Sequence, residues 1–465
     1  MGITAILNIA KNALFAQQTA LQVLSNNVAN VNTKGYARQE AVLVEDANLR
    51  TDLGLLGNGV KVSAIMSHYD KYLEASVAKE NNSLEEQKTY EQYLGRIESI
   101  LDENNSNLTA NVSAFFNTWQ DLSADPLSVT SRSNVAAAAA NLSTGIRNIY
   151  GELQGLQTET DNNVSQEVGN INGILHAIAA LNSQIYAAGA AAGENNSLVN
   201  QQAQLLQELS GKMDIQYFGD RDGGMTVMTS GGKSLVDRET VYELSAEKSP
   251  VTNFYNVTWH GNSQVSVDVT DAIRGGTLKG LINLRDGQIA GFMGSIDDLA
   301  KSIMTEVNSI HSTGYNLNGT TNINLFKNLT QNFAEAMDLS DEVKADVLNI
   351  AVTSSPSNPS NNDVALAIAD LGTGSVTISG QDTTYVDYTA STSSRIGSLS
   401  QNAQNLSEYH QNLMTTVEKQ RDAVSGVSID EEMSNLIKYQ YAYQAAARLI
   451  NAADTLMNSL LEIGR

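Results

Sequence analysis

Catalysis or metal binding needs particular residue types at particular spacings, and this chain supplies few of them. Its histidines, His68, His176, His260, His311 and His410, never fall three or four residues apart, so no helix turn presents a zinc pair. Cysteine is absent, which removes disulfides, a thiolate nucleophile and cysteine–zinc sites. Gly231-Gly232-Lys233-Ser234 repeats the last letters of a phosphate-binding loop. The leading glycine of such a loop would fall at Val227, and the surrounding alternation reads as a β-hairpin. No Gly-x-Ser-x-Gly elbow occurs. Asp430, Glu431 and Glu432 resemble an acid–base cluster, but at the start of a helix they complement the helix dipole, with Ser428 as the cap. The expectation is a protein with no catalytic, cofactor-binding or metal site, hence no cofactor and no enzyme.

What the chain does supply lies at its two ends. Alternating steps of four and three pick out Ile3, Leu7, Ala10, Leu14, Gln17, Leu21, Leu24, Val28 and Val31, apolar at all but Gln17. A matching count gives Leu436, Tyr439, Tyr443, Ala446, Ile450, Ala453, Met457 and Leu460. Each set forms one stripe on a helix, the seam that a coiled coil uses. Ordering a residue's backbone costs roughly 1–2 kcal/mol and a fully buried Leu returns about 1.5–3 kcal/mol, so each helix needs a partner surface. Two arrangements satisfy that need: the helices close an ordinary core, or they pair and associate with other copies of the chain.

Composition narrows the class. The 465 residues suit about three domains, and 42% apolar residues are enough for real cores. A net charge of −23 excludes a nucleic-acid binder and disfavours docking on anionic membrane. No stretch reaches the ~20 apolar residues of a membrane span. Asn8, Lys11 and Asn12 interrupt the first apolar run, so a cleaved secretory signal is not expected, and Ile6 stands where a myristoylation signal wants Ser or Thr.

Between the terminal stripes the texture changes several times. Helical spacing over 3–31 ends in an Asn/Thr/Gly turn, and short strands are expected over 39–45 and 60–64. Helices are expected over 69–101, 112–122, 133–192 and 198–209, with a break at Asp125-Pro126 and a small-residue break over 187–193. The period then shifts to two over 215–218, 225–228, 241–244 and 265–269. Helical spacing returns over 276–312 and 394–423, and short strands are expected near Thr377 and Tyr385. The predicted fold is mainly α with an inserted β domain: terminal helices paired as a coiled coil, a long helical-bundle domain and a small β-rich insertion. The boundaries are 1–40 and 425–465 for the terminal coiled coil; 41–213, 272–318 and 391–424 for the helical core; 214–271 for the β-rich insertion; and 319–390 for a polar, irregular or small mixed segment.

Ser25-Asn26-Asn27-Val28-Ala29-Asn30-Val31-Asn32-Thr33-Lys34-Gly35-Tyr36 resembles the N-terminal signature of the flagellar axial proteins of rod, hook and hook-associated type. Gly57-Asn58-Gly59-Val60-Lys61-Val62, Tyr69-Asp70-Lys71-Tyr72-Leu73 and Asn195-Asn196-Ser197-Leu198-Val199-Asn200-Gln201-Gln202 are similar to the hook-associated branch. So is Leu436-Ile437-Lys438-Tyr439-Gln440-Tyr441-Ala442-Tyr443-Gln444, after the acidic helix start. The signature residues are thus Asn27, Asn30, Asn32, Thr33, Gly35, Tyr36, Tyr439, Gln440, Tyr443 and Gln444. The resemblance is strong at both ends and weak over 215–270 and 320–390.

That resemblance implies a structural protein of the bacterial flagellum, secreted through the flagellar export channel without cleavage and placed at the junction of hook and filament. It implies an assembly seam of Ile3, Leu7, Leu14, Leu21, Leu24, Val28, Leu436, Tyr439, Tyr443, Ile450, Met457 and Leu460. Its implied partners are copies of itself, the hook protein, the next hook-associated protein and an export chaperone on the C-terminal helix, with no nucleic acid and no membrane insertion. A hook or rod protein of the same family, a soluble coiled-coil adaptor and an enzyme carried in the insertion are the alternatives. The Tyr-Gln run and the missing ligands disfavour the first and last.

Overall fold

The computed structural model describes residues 2–33, 35–47, 49–51, 54–188, 196–220, 223–261 and 265–463. Lys34, Asn195, most of the 187–193 break and the final Gly464-Arg465 lie outside the described residues.

The chain opens with helix α1 (Gly2–Ala29) and a hairpin of β1 (Gln39–Glu45) and β4 (Val60–Ser67), whose tip carries β2 (Leu49–Thr51) and β3 (Gly54–Leu56). Helix α2 (Lys71–Ala124) follows, capped by the Asp70 side chain, which accepts from the backbone N–H groups of Tyr72 and Leu73 at 2.8 and 3.2 Å. The sequence spacing suggests two helices here, and the structure joins them into one of 54 residues. The reason is phase: Leu101, Leu108, Val112, Phe115, Trp119 and Leu122 stay on one buried face across the polar stretch between them. Asp125-Pro126 ends α2, and α3 (Val129–Ala188) returns antiparallel to it, tied by the bidentate Arg96–Glu159 pair at 2.7 Å. Helix α4 (Asn196–Lys212) leads into the insertion.

The insertion holds two antiparallel sheets. One orders β5 (Ile215–Gly219), β6 (Met225–Thr229), β7 (Ser234–Asp237) and β8 (Thr240–Val241) side by side. The other places β10 (Tyr255–His260) between β9 (Leu244–Lys248) and β11 (Ser266–Asp268). Strands β7 and β10 have no counterpart in the sequence reading, and the run over 241–244 is split between two strands of different sheets. Side chains of α3 dock both sheets. Asn182 pairs with the N–H and C=O of Met225 (both 2.8 Å), and Asn172 with those of Leu244 (3.0 and 2.7 Å). Asp161 accepts from Tyr255 N–H at 2.8 Å and from buried Arg285 at 2.6 Å.

Helix α5 (Gly276–Asn283) passes through a π-turn at Leu284–Ile289 into α6 (Ala290–His311). Gly276 has φ +77°, and a Cβ there would stand 2.6 Å from the Lys212 carbonyl, so only glycine fits. The segment over 319–390, expected to be polar and irregular or a small mixed unit, is mixed in structure and packs into the main core. It carries α7 (Phe333–Ala336), α8 (Asp341–Ala345), α9 (Asp363–Leu371), β12 (Val376–Ile378) and β13 (Gln381–Thr383). Phe326, Met337, Ile350, Val352 and Ile368 anchor it. His311 stitches it down: its Nδ1 lies 2.7 Å from the Ile323 carbonyl and its Nε2 accepts from Ala351 N–H at 2.9 Å. Buried Arg132 adds bonds to the carbonyls of Ile350 and Pro126.

Helix α10 (Tyr385–Ser425) begins earlier than the spacing indicates. Thr384 accepts from Asp387 N–H at 3.1 Å as an N-cap, so Tyr385 opens a helix rather than a strand. It runs antiparallel to α2, with Thr109 against Thr389 and Glu80 against His410. Helix α11 (Ile429–Ile463) closes the chain. The architecture is the expected one: long helices, paired terminal helices and a small β-rich insertion. One hydrophobic core runs from the α2–α3 bundle through both sheets, and a separate small cluster of Ala20, Val23 and Ala41 lies among the terminal elements.

Candidate assembly interface

Helix α1 packs along α11 on one side and on β1 and β4 on another. The pair is antiparallel: Asn27 near the end of α1 meets Glu432 near the start of α11, and Tyr439 packs against Ala20 and Val23. Because α1 is clasped from two sides, its most buried face differs from the single stripe of the sequence count. Ala10, Ala16, Ala20, Val23, Leu24 and Asn27 are buried, whereas Ile3, Leu7, Leu14, Leu21 and Val28 are half-buried. On α11, Ala446 and Ala453 are buried, Leu436, Tyr439 and Ile450 half-buried, and Tyr443, Met457 and Leu460 exposed. Helix α11 has 35 residues against 28 in α1, so its last turns outrun the partner.

The N-terminal signature builds a polar knot at the inner end of this pair. Asn27 Oδ1 accepts from Gln39 N–H at 3.0 Å and from the Tyr36 hydroxyl at 2.9 Å. Its Nδ2 donates to the Gln39 carbonyl at 2.8 Å and to Glu432 at 3.3 Å. That uses both acceptor positions and both donors of the amide. The other Glu432 oxygen accepts from Arg38 Nε at 2.7 Å. Asn27 is 1% exposed and Glu432 2%. Burial works against the Arg38 charge, but the hydrogen bond and charge of Glu432 outweigh it and raise the guanidinium pKa. Burial, then Glu432, pushes the Tyr36 hydroxyl up to about 12, so it stays a neutral donor.

Other signature residues shape the turn after α1. Asn30 Nδ2 donates to the Asn26 carbonyl at 2.9 Å, closing the helix end, and Thr33 donates to Asn30 Oδ1 at 3.1 Å. Gly35 has φ +78°, and a Cβ there would stand 3.0 Å from the Gln204 side chain, so the turn lies against α4. The N-terminal end of α4 reaches the same unit, with Asn196 donating to the Ile65 carbonyl at 3.0 Å. A polar cavity of about 490 Å³ separates this turn from the α10–α11 break, lined by Asn32, Thr33, Tyr36, Arg421 and Gly426 among others. Asn32, Gln440, Tyr443 and Gln444 are exposed and stand outside the knot.

Glu432 therefore corrects the sequence reading. It is a buried ion-pair partner rather than one of three dipole-complementing acids. The signal was present: Glu432 lies four residues before Leu436, on the same stripe, and an acid on an apolar seam demands a partner. Arg38 had no such pattern to mark it. Asp430 and Glu431 are exposed, as a dipole role requires.

The family described as flagellar hook-associated protein FlgK helical domain matches residues 94–326. The flagellar basal body rod FlgEFG protein C-terminal family matches 419–463, and the flagella basal body rod protein family matches 7–36. Flagellar hook-associated protein 1 of Bacillus subtilis (strain 168) is 27% identical, covering 98% of this chain and 97% of its own length. Its namesake in Escherichia coli (strain K12) is 24% identical, covering 99% of this chain and 100% of its own. The structure of the flagellar hook junction protein FlgK from Burkholderia pseudomallei superposes with a TM-score of 0.67 at 13% identity, over 75% of this chain and 100% of that one. With half its length matched by the helical-domain family and rod-type signatures at both ends, the chain belongs to the FlgK family of flagellar hook-associated proteins.

Proposed function

We propose that this chain is a structural subunit of the bacterial flagellum that forms the junction between hook and filament and joins its neighbours through its terminal helices. The observation that carries the reading is the outer face of α11. Met433, Ile437, Tyr441, Leu449 and Leu456 are all exposed on a helix whose other side already holds α1. So much apolar surface on an acidic chain fits a subunit awaiting further copies. The seam residues Leu436, Tyr439, Ile450 and the half-buried residues of α1 hold the pair, while Tyr443, Met457 and Leu460 extend it to a neighbour.

On this reading the terminal pair, the bundle with its insertion and the 319–390 segment act as one subunit whose bundle packs between neighbouring copies. Hook protein on one side and the next hook-associated protein on the other complete the contacts. A dedicated chaperone covering α11 during export accounts for an apolar helix that passes through a channel before assembly. Among the described residues no helix is long and apolar enough to cross a membrane and no group of three or more potential metal ligands occurs. A hook or rod protein is the weaker reading, because a helical-domain match over 94–326 accompanies the shared ends.

The test is incorporation. Ile437→Asp and Leu456→Asp, on the outer face, are expected to leave the purified chain folded and to remove it from isolated hook–filament particles, with motility lost. Normal incorporation of both would overturn the proposal.

A further inference from the structure

The apolar part of the α1–α11 seam is rich in small residues. Ala10, Ala16, Ala20, Val23 and Leu24 on one helix and Ala446 and Ala453 on the other are its buried members. Such a surface holds two helices close together. A slide by one helical turn, about 5.4 Å, brings Leu24 toward the place of Ala20, Ile450 toward that of Ala446 and Met457 toward that of Ala453, replacing one apolar contact by another of different size. Apolar contact is non-directional, so size alone sets its preference between such alignments, whereas a buried hydrogen-bonded contact is satisfied in one of them.

We infer that the buried knot of Asn27, Arg38 and Glu432, completed by Tyr36, sets the register of the two terminal helices. The inference rests on the assembly reading above and goes beyond it by assigning alignment to specific residues. A one-turn slide would move Glu432 away from both Asn27 and Arg38. It would leave a carboxylate that is 2% exposed with neither of its hydrogen-bond partners. A single buried polar contact on an otherwise apolar helix seam is a well-attested way of fixing alignment. Here the same amide also clamps both main-chain groups of Gln39, so the hairpin is locked to the same alignment. Asparagine is the side chain this position needs: aspartate has no N–H to donate, and leucine offers neither group.

The absence of cysteine makes the test direct, because introduced pairs face no background. Ala20→Cys with Tyr439→Cys reports the observed register, and Ala20→Cys with Tyr443→Cys reports a slide of one turn. Both pairs are placed in full-length chains assembled into flagella and oxidised mildly, with the knot intact or replaced by Asn27→Leu plus Glu432→Leu. The intact knot is expected to favour the first bridge by at least about tenfold, and the apolar replacement to bring the two bridges to comparable yield. Glu432→Gln, which keeps the shape but loses the charge opposite Arg38, covers the case in which the double variant does not assemble, and is expected to raise the shifted bridge above its intact-knot yield. If the first bridge keeps its full advantage in whichever knot variant assembles, the seam stands and the register inference falls. If neither bridge forms with the knot intact, the helices do not pair in the assembled state, and the assembly reading falls with it.

Discussion

Asparagine performs one task at three points of this chain. Asn27, Asn172 and Asn182 each bond both the N–H and the C=O of a single strand residue: Gln39, Leu244 and Met225. Replacing Asn172 or Asn182 by Ala orphans two main-chain groups, and thermal unfolding should show a loss of about 1–3 kcal/mol at each site. Aspartate should be no better, since it cannot donate. His311 makes a different prediction. Burial, its first cause, pulls its pKa from 6.5 down to about 4. The unfolded chain then takes up a proton near pH 6.5 that the folded chain refuses until about pH 4. Its stabilising contribution is whole above pH 6.5 and falls through that window as the solution is acidified, by up to about 1.4 kcal/mol per pH unit. Unfolding curves measured between those limits should lose that slope in His311→Gln.

At the scale of elements, what the sequence reveals depends on periodicity. The long helices and the β-rich insertion were legible because Ile171, Ile174, Leu175 and Ile178, or Met225 and Val227, repeat at helix or strand spacing. The packing of the segment over 319–390 was not, because its anchors Phe326, Met337, Ile350 and Ile368 sit in apolar runs too short to carry a period, separated by polar stretches. The terminal stripe was legible in position but not in orientation. The hairpin of β1 and β4 rolls α1 toward its alanine face, and no one-helix count contains that second neighbour. The polar knot links residues about 400 positions apart, beyond any local pattern. Since the seam is built on small side chains, Ala453→Leu should be harmful although it adds apolar surface. Overpacking by about 1–3 kcal/mol is expected to separate the helices and reduce incorporation while the bundle keeps its melting temperature.

For the whole molecule, the distribution of core decides how it unfolds and assembles. The bundle, both sheets and the 319–390 segment share one continuous core, so calorimetry should show them melting together, without a separate transition for the insertion. Apart from the main core, the terminal pair buries mainly alanines with Val23, Leu24 and the polar knot, and the outer face of α11 is bare. Two long helices with so little buried between them are marginal in water and gain order when neighbours cover the exposed face. Amide hydrogen exchange on the free chain and on assembled hook–filament particles tests this most directly. The account predicts rapid exchange over 2–29 and 429–463 in the free chain and strong protection there after assembly, with the bundle protected in both. Equal and strong protection of the terminal helices in both states would contradict it, because the helices would then already be complete without neighbours.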